Sequence, residues 1–351
     1  MVKIFVFMTL ISLSISLLSS MSTYLKRVGE RRQKIFGRAS SRESSARIGG
    51  VCVFLSLSSG VFFLNEDGAQ TLLFLLSSMF VPFFFGLIDD VYIEVSPFLR
   101  LITSVLAGAF LCYLLETKIT NLGFESIGFL ISHPIGQFGL TVIAIALSIN
   151  SFNIVDGLNG LMLGTFVIII IALSVITSSY GLDTFTQLCC IFAGSAIGLF
   201  LVNYPRGLIF SGDSGSYLLG GVTAWAVIEL NRLDLGVSAF LSLLLVAYPI
   251  YETLRTVLRR FFFNVSLFKP DRNHLHYLLH DFVATKIEAK NWKINAISST
   301  LMLIFPLITS VFSIIYHRNE KAILVGFSLF VVLYESMYFF LKIQKRRNIN
   351  N

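Results

Sequence analysis

Residues 137–160 read QFGLTVIAIALSINSFNIVDGLNG, an apolar run that ends in a cluster of amides, glycines and one carboxylate. The apolar part, residues 137–155, is long enough to cross a membrane, since a spanning helix needs about 20 mainly apolar residues. The same pattern, an apolar run bounded by a short polar motif, recurs along the chain. This stretch therefore predicts a membrane span that carries functional residues at one end.

The composition of the chain is that of a membrane protein. Of its 351 residues, 55% are hydrophobic and 13% are charged, whereas a soluble domain carries roughly 25% charged residues. With 34 Phe residues and a mean hydropathy of +0.79, the chain needs lipid as its solvent. The net charge of +7 does not indicate nucleic acid as a partner, because most basic residues lie between apolar runs and no basic patch is interleaved with aromatics.

Eleven apolar segments predict an all-α, polytopic integral membrane protein with about 10–11 transmembrane helices. We interpret the first as an uncleaved span rather than a signal peptide, because only Lys3 precedes it and a basic segment follows it. The whole chain, 1–351, is predicted to be one transmembrane catalytic domain. The segments are 2–22, 48–65, 70–88, 98–116, 137–155, 159–180, 185–203, 215–230, 236–256, 295–316 and 321–341, and the basic segment contains Lys26, Arg27, Arg31, Arg32, Lys34 and Arg38.

The positions of the basic residues predict the orientation. If the N-terminus is periplasmic, only five of the 27 Lys and Arg residues lie outside, and basic residues favour the cytoplasmic side. The C-terminus is then cytoplasmic, and residues 257–294 form a long cytoplasmic loop. The five outer residues are Lys3, Lys118, Arg232, Arg318 and Lys321.

Five polar motifs flank the spans, and all five fall on the predicted cytoplasmic side. Since the spans were assigned from apolarity and charge alone, this shared side indicates one composite site. Charged residues near a membrane interior are costly, which makes them functional candidates. The motifs are 46–50 with Arg47, 86–90 with Asp89 and Asp90, 150–160 with Asn150, Asn153, Asp156 and Asn159, 210–216 with Asp213, and 269–277 from Lys269 to Tyr277 with Arg272, His274 and His276.

The acidic motifs favour a hard cation. Asp89 and Asp90 are adjacent carboxylates, whose oxygens suit Mg²⁺, although a solvated helix cap is the alternative. Asp213 lies at a helix start, where free N–H groups attract phosphate. Because Asp213 would repel a bare phosphate, a metal between them is the economical interpretation, and helix capping by Asp213 or Ser214 can coexist with it.

The amide and His motifs favour ligand contacts. Asn150, Asn153 and Gly157 form one helical stripe, which Asp156 ends, and polar packing between spans is the alternative. His274 and His276 would share one side of an extended segment and form a cationic patch with Arg272, suited to a phosphate or nucleotide. A zinc site lacks a matching pair of ligands, and a solvated loop without chemistry is the other alternative. Arg47 either anchors its helix at the interface or joins the site. The four Cys residues are predicted to be buried and to form neither a disulfide nor a metal site, and they are Cys52, Cys112, Cys189 and Cys190.

As a set, these motifs resemble those of the polyprenyl-phosphate N-acetylhexosamine-1-phosphate transferases. The resemblance runs from about Arg47 to His276 and rests on Asp-Asp, N-x-x-N-x-x-D-G-x-N-G, G-D-x-G-S and P-D-R-x-H-L-H in this order. The last motif is similar to that of the branch that initiates O-antigen and enterobacterial common antigen. Asn159 stands where many relatives have Asp, and Tyr277 where relatives often have His.

The resemblance implies transfer of N-acetylhexosamine 1-phosphate from a UDP-N-acetylhexosamine to undecaprenyl phosphate, at the cytoplasmic face of the bacterial inner membrane. The product would begin a surface glycan such as the O-antigen of lipopolysaccharide. The other implied partner is membrane lipid, and both a monomer and a homodimer stay open. A transporter, a prenyl-diphosphate synthase and a CDP-alcohol phosphotransferase are the rival classes, but their repeats or motifs are absent from the sequence.

The resemblance also implies roles for the residues. Mg²⁺, or Mn²⁺ in its place, would be held by Asp213, Asp156 and Asn153. For Asp90, positioning or metal support is favoured over a general base, because a phosphate monoester with a second pKa of about 6 is mostly dianionic near pH 7. Catalysis is assigned to Asp89, Asp90, Asp156 and Asp213, and substrate binding to Arg47, Asn150, Asn153, Asn159, Arg272, His274 and His276.

Overall fold

The structure, a computed structural model, is a bundle of helices. It describes residues 1–22, 46–92, 94–123, 125–233, 235–266 and 271–350, without the side chains of 125–127 and 348–350. Within these ranges there is no β-strand. The basic segment from Lys26 to Arg38 and the motif residue Lys269 lie outside the described residues.

The α-helices of the described part are numbered in chain order. They are α1 (Val2–Met21), α2 (Gly49–Ser59), α3 (Glu66–Val91), α4 (Pro97–Leu114), α5 (Pro134–Val155), α6 (Leu161–Ser179), α7 (Asp183–Asn203), α8 (Gly212–Arg232), α9 (Leu241–Leu245), α10 (Ala247–Phe262), α11 (Leu275–Lys286), α12 (Asn291–Met302), α13 (Ile304–Tyr316) and α14 (Glu320–Asn350). Two 3₁₀ turns lie at Gly60–Phe63 and Glu125–Leu130.

Eight helical segments of the described chain are long and apolar enough to cross a membrane, which confirms an all-α, polytopic membrane protein. The remaining three predicted spans correspond to shorter or more polar helices. The eight are α1, α3, α4, α5, α6, α7, the pair α12–α13 and α14, and the three are α2 with its 3₁₀ turn, α8, and the pair α9–α10.

Helix α8 is the central helix of the bundle. Every residue from Gly212 to Ile228 is buried, and the helix packs against α2, α3, α4, α5 and α6. A helix enclosed by protein does not need the apolar surface of a lipid-facing span, which explains its many Gly and Ser residues. The first turn of α8 therefore lies inside protein, and the site is built around it.

Helix caps fix the starts of α3 and α4. Asn65 caps α3 by accepting a hydrogen bond from the Gly68 N–H at 3.0 Å. Ser96 caps α4 in the same way, accepting from the Leu99 N–H at 3.3 Å, and Pro97 occupies the first helical position. Proline is favoured there because its missing N–H would have no partner within the helix.

Helix α1 packs closely along α7 through small residues. The Ser12 hydroxyl donates to the Ser195 carbonyl at 2.5 Å, and a Cβ atom added at Gly198 would collide with Ser12. Glycine at this position lets the two backbones approach one another, a common mode of helix packing in membranes.

Replacing Gly198 with Leu should therefore push α1 away from α7. We expect the free energy of unfolding to fall by about 1–3 kcal/mol, which is typical of overpacking, and thermal unfolding in detergent measures it. Gly139→Leu is the matched control, because nothing lies within 4 Å of a Cβ atom at Gly139. Equal stability of the two variants would contradict the close packing of α1.

Candidate active site

An aspartate at the end of α3 caps the start of α8. Asp90 Oδ1 accepts from the Asp213 N–H at 3.0 Å, and its Oδ2 accepts from the Ser214 N–H at 3.0 Å and hydroxyl at 2.9 Å. The first N–H groups of a helix have no partner within it, so a buried helix start needs acceptors from elsewhere. Because Asp90 is only 3% exposed, this geometry favours the positioning role over that of a general base.

The same contact corrects one expectation from the sequence. The N–H groups of Asp213 and Ser214 were expected to attract a phosphate, but Asp90 already accepts from both of them. A carboxylate from another helix binds where the anion would bind. Phosphate contacts must then come from side chains or from a cation.

Arg100, in the first turns of α4, joins two of the predicted catalytic aspartates. Its Nη2 donates to Asp89 Oδ1 and its Nη1 to Asp213 Oδ2, both at 2.8 Å. Asp89 Oδ1 also accepts from the Val95 N–H at 2.7 Å, and Arg100 Nε donates to the Val95 carbonyl at 3.0 Å. The shared guanidinium group lets two carboxylates lie side by side that would otherwise repel one another.

The amide motif meets the start of α8 from the other side. The hydroxyl of Ser211 donates to Asp156 Oδ2 at 2.7 Å, and the Asn153 amide donates to the Ser216 hydroxyl at 3.0 Å. Asp156 follows the last residue of α5, and burial raises the pKa of this carboxyl to about 6, although Ser211 and Arg47 oppose the shift. The motifs 150–160 and 210–216 thus form one surface.

The motif 46–50 forms backbone hydrogen bonds with the segment that precedes α8. The Gly49 N–H donates to the Phe210 carbonyl and the Gly50 N–H to the Ser211 carbonyl, both at 2.8 Å. This pairing brings Arg47 among the aspartates. Burial alone would lower the pKa of Arg47, but the charges of Asp90 and its neighbours outweigh it and raise the pKa.

The His motif differs in part from its prediction. Helix α11 begins at Leu275, so the segment is not extended throughout, yet the rings of His274 and His276 still stack with centroids 5.5 Å apart. His276 is fully buried, and its Nε2 lies against Gly157, where a Cβ atom would not fit. Burial lowers the pKa of His276 to about 3, so this ring is neutral near pH 7 and does not add to a cationic patch.

In the described part of the motif 269–277, Arg272 carries a positive charge, and its side chain is 74% exposed. The preceding Asp271 holds the motif to α10 through an ion pair with Arg259. Partial burial would raise the pKa of Asp271, but the hydrogen bond from Arg259 outweighs it and lowers the pKa to about 2. Arg272 is therefore anchored at its base, and its exposed guanidinium group, which lies 4.0 Å from Asp281, is accessible to an anion from solvent.

Two predicted binding residues form hydrogen bonds with other parts of the bundle. The Asn150 amide donates to the Ser104 hydroxyl at 3.2 Å and to the Ala146 carbonyl at 2.7 Å, which joins α5 to α4. The Asn159 amide donates to the Pro205 carbonyl at 3.1 Å. Both contacts are structural, and a role of these two side chains in substrate binding stays a prediction.

The donor set fits a hard cation. Asp213, Asp156 and Asn153 offer carboxylate and amide oxygens, which Mg²⁺ prefers, and Asp156 and Asp213 are close enough to influence one another's charge. Among the described residues, no three His, Cys, Asp or Glu side chains form a complete metal site. A cation here would need water and ligand oxygens as well, which is the usual state of bound Mg²⁺.

Two charged residues of the site, Arg100 and Glu252, were not predicted from the sequence. Arg100 was taken as part of the span 98–116, and Glu252 as part of the span 236–256. Glu252 is buried and contacts His274 at 3.0 Å. A signal was present for both, because a charge inside a predicted span indicates function by default.

The fold and the site define a multi-span membrane protein in which four aspartates and two arginines meet inside one end of the bundle. Comparison with known proteins agrees with this. The model of the family described as glycosyl transferase family 4 matches residues 72–231, which include α3 with Asp89 and Asp90, α5, and the start of α8.

Curated relatives cover much of the chain. A probable undecaprenyl-phosphate N-acetylglucosaminyl 1-phosphate transferase of Bacillus subtilis is 24% identical over 67% of this chain and 66% of its own length. Undecaprenyl-phosphate alpha-N-acetylglucosaminyl 1-phosphate transferases of Yersinia pestis and Thermotoga maritima are 25% and 27% identical, over 66% and 84% of this chain and 64% and 87% of their own lengths. The match spans just under two thirds of the length of the Bacillus and Yersinia proteins. The chain is thus similar to undecaprenyl-phosphate N-acetylglucosaminyl 1-phosphate transferases and matches glycosyl transferase family 4 over residues 72–231.

Replacing Asp90 with Asn should lower both stability and activity at every pH from 6 to 9. The amide cannot accept at both positions where α8 donates, so we expect a loss of about 1–3 kcal/mol in the free energy of unfolding. Thermal unfolding and turnover against pH measure this. Asp67→Asn, at the exposed far end of α3, is the control. Full recovery of turnover at high pH would instead support a general base.

The buried His276 should make the protein less stable in acid. Its pKa is lowered to about 3 in the folded chain, so between pH 6.5 and 3 the unfolded chain binds a proton that the folded chain does not. Stability should fall by on the order of 2 kcal/mol from pH 6.5 to 5. Thermal unfolding against pH should show a smaller fall for His276→Asn than for wild type and for the exposed control His133→Gln. The same fall in all three would refute the assignment.

Proposed function

We propose that the protein transfers N-acetylhexosamine 1-phosphate from a UDP-N-acetylhexosamine to undecaprenyl phosphate and releases UMP. The observation that carries the proposal is the meeting of Asp89, Asp156 and Asp213 with Arg47 and Arg100 around the start of α8. Two anionic substrates must meet in this reaction. A site with carboxylates for a cation and with arginines for phosphate suits that demand.

The reaction forms and breaks one P–O bond. An oxygen of the lipid phosphate attacks the sugar-bearing phosphorus, and the bond from this phosphorus to the UMP oxygen breaks. Mg²⁺, with Mn²⁺ as an alternative, would offset charge on the diphosphate and on the departing UMP when bound. Asp213, Asp156 and Asn153 would hold the cation.

The other side chains of the site would bind and orient the substrates. Arg272 is exposed and would contact the donor's diphosphate, with His274 beside it. Arg100, which lies between Asp89 and Asp213, would contact a phosphate of the substrates. Asp90 keeps its bonds to α8 throughout, which holds Asp213 in place.

The proposal extends to location and pathway. We place the protein in the bacterial inner membrane, with the N-terminus periplasmic and the site at the cytoplasmic face, where UDP-sugars are found. The distribution of basic residues supports this orientation. The relatives' names favour GlcNAc as the sugar, and the product would start a surface glycan such as O-antigen.

An assay of membranes with radiolabelled UDP-GlcNAc, undecaprenyl phosphate and Mg²⁺ tests the proposal. Wild type should form a lipid-linked product and UMP, and chelation of the cation should abolish both. Asp213→Asn should lower turnover by about 100-fold or more, because it removes a proposed cation ligand. Asp183→Asn, exposed in the first turn of α7, should behave as wild type. The absence of a lipid-linked product from any UDP-N-acetylhexosamine would refute the function.

A further inference from the structure

Glu252 of α10 is a buried carboxylate at the junction of three helices. Its side chain is 1% exposed. Its Oε1 accepts from His274 Nδ1 at 3.0 Å, its Oε2 accepts from the Tyr334 hydroxyl of α14 at 2.6 Å, and both oxygens lie 3.3 Å from the Leu275 N–H. An isolated buried carboxylate costs several kcal/mol, so these three donors are what makes its burial tolerable.

The first consequence concerns the start of α11. His274 is the N-cap residue of this helix, and its own side chain makes no capping hydrogen bond. Glu252 supplies the missing acceptor by binding the Leu275 N–H, the first N–H of the helix. The position of the helix that carries the His motif therefore depends on a carboxylate from α10.

The second consequence concerns the His274 ring. A carboxylate can only accept a hydrogen bond, so His274 Nδ1 must carry the proton in its contact with Glu252. The ring nitrogen that is left for a ligand is Nε2. A carboxylate that fixes the orientation and proton position of a working imidazole is a recurring device in active sites.

Joining α10 to α14 does not by itself require Glu252. Arg255, one turn away on α10, already pairs with Glu335 of α14 at 2.7 and 3.2 Å, and the Tyr251 hydroxyl donates to the same carboxylate at 3.1 Å. What Glu252 adds is its contact with His274. The Tyr334 hydroxyl then serves to hold Glu252 rather than to hold the two helices together.

We propose that Glu252, held by Tyr334, is a positioning residue that keeps the proton of His274 on Nδ1 and directs Nε2 toward the diphosphate of the donor. This inference rests on the proposed function for the identity of the ligand. The last helix of the chain, which carries none of the motifs, thereby takes part in the site.

A double-mutant cycle tests the proposal. Glu252→Gln should lower kcat/KM for the UDP-sugar by about tenfold or more in wild type. In a His274→Gln background the same change should cost less than about twofold, because Glu252 acts only through His274. Equal losses in the two backgrounds would overturn the proposal.

Glu335→Gln is the matched control. It removes a contact between α10 and α14 of similar kind, so thermal stability should fall as in Glu252→Gln, while kcat/KM should stay within about twofold of wild type. Tyr334→Phe gives a second, milder variant if Glu252→Gln does not fold. It should lower kcat/KM several-fold in wild type but not in the His274→Gln background, and the opposite pattern would count against the proposal.

A spectroscopic readout separates this inference from the proposed function. In ¹⁵N-His-labelled protein in detergent, the His274 signal, identified by its loss in His274→Gln, should show a proton on Nδ1, and Glu252→Gln should abolish this preference. An unchanged proton position in Glu252→Gln would overturn the inference. The result does not depend on turnover, so a failure of the transferase assay in wild type would refute the proposed function and leave this test intact.

Discussion

The contact between Asp90 and the start of α8 is the interaction on which the site depends. Helix α8 is buried from its first residue, so its leading N–H groups cannot reach water, and the positive end of its dipole favours a negative charge there. A carboxylate from α3 meets both needs with three hydrogen bonds. The helix start in turn stabilises a charge that would be costly to bury alone. Asp213 takes its position from this arrangement, because it lies in the same turn.

The number of anionic groups that must meet around the start of α8 supports the proposed cation. Arg100 binds Asp89 and Asp213 directly, and Arg47 lies among all four aspartates. Two phosphate-bearing substrates would add negative charge to a site that already holds four aspartates. A site that must hold these groups together needs further positive charge, and the oxygen ligands of Asp213, Asp156 and Asn153 suit a hard cation.

The sequence predicted residues whose local position marks them as functional, but it did not predict contacts between residues far apart in the chain. Asp89, Asp90 and Asp213 were identified because a charge at the end of a span is costly enough to stand out. Their separate tasks could not be assigned, because the partner of Asp90 lies 123 residues away. Arg100 and Glu252 were not identified, because each lies in a predicted span that is apolar on average. Tyr334 gave no signal, since an aromatic residue in an apolar helix is ordinary.

Helices α8 and α11 begin in the same way, and this shared feature limits how phosphates can bind. Each begins inside protein, and each has a carboxylate from a neighbouring helix at its first N–H groups, Asp90 in one case and Glu252 in the other. A helix start with unbonded N–H groups would bind an anion readily. At these two helices, N–H groups of the first turn already donate to a carboxylate. In the proposed reaction, phosphate recognition would then fall to side chains such as Arg100 and Arg272 and to a cation. A reaction that must bind two anions, join them and release a third is better served by such contacts than by fixed backbone donors, because fixed donors would also retain the product.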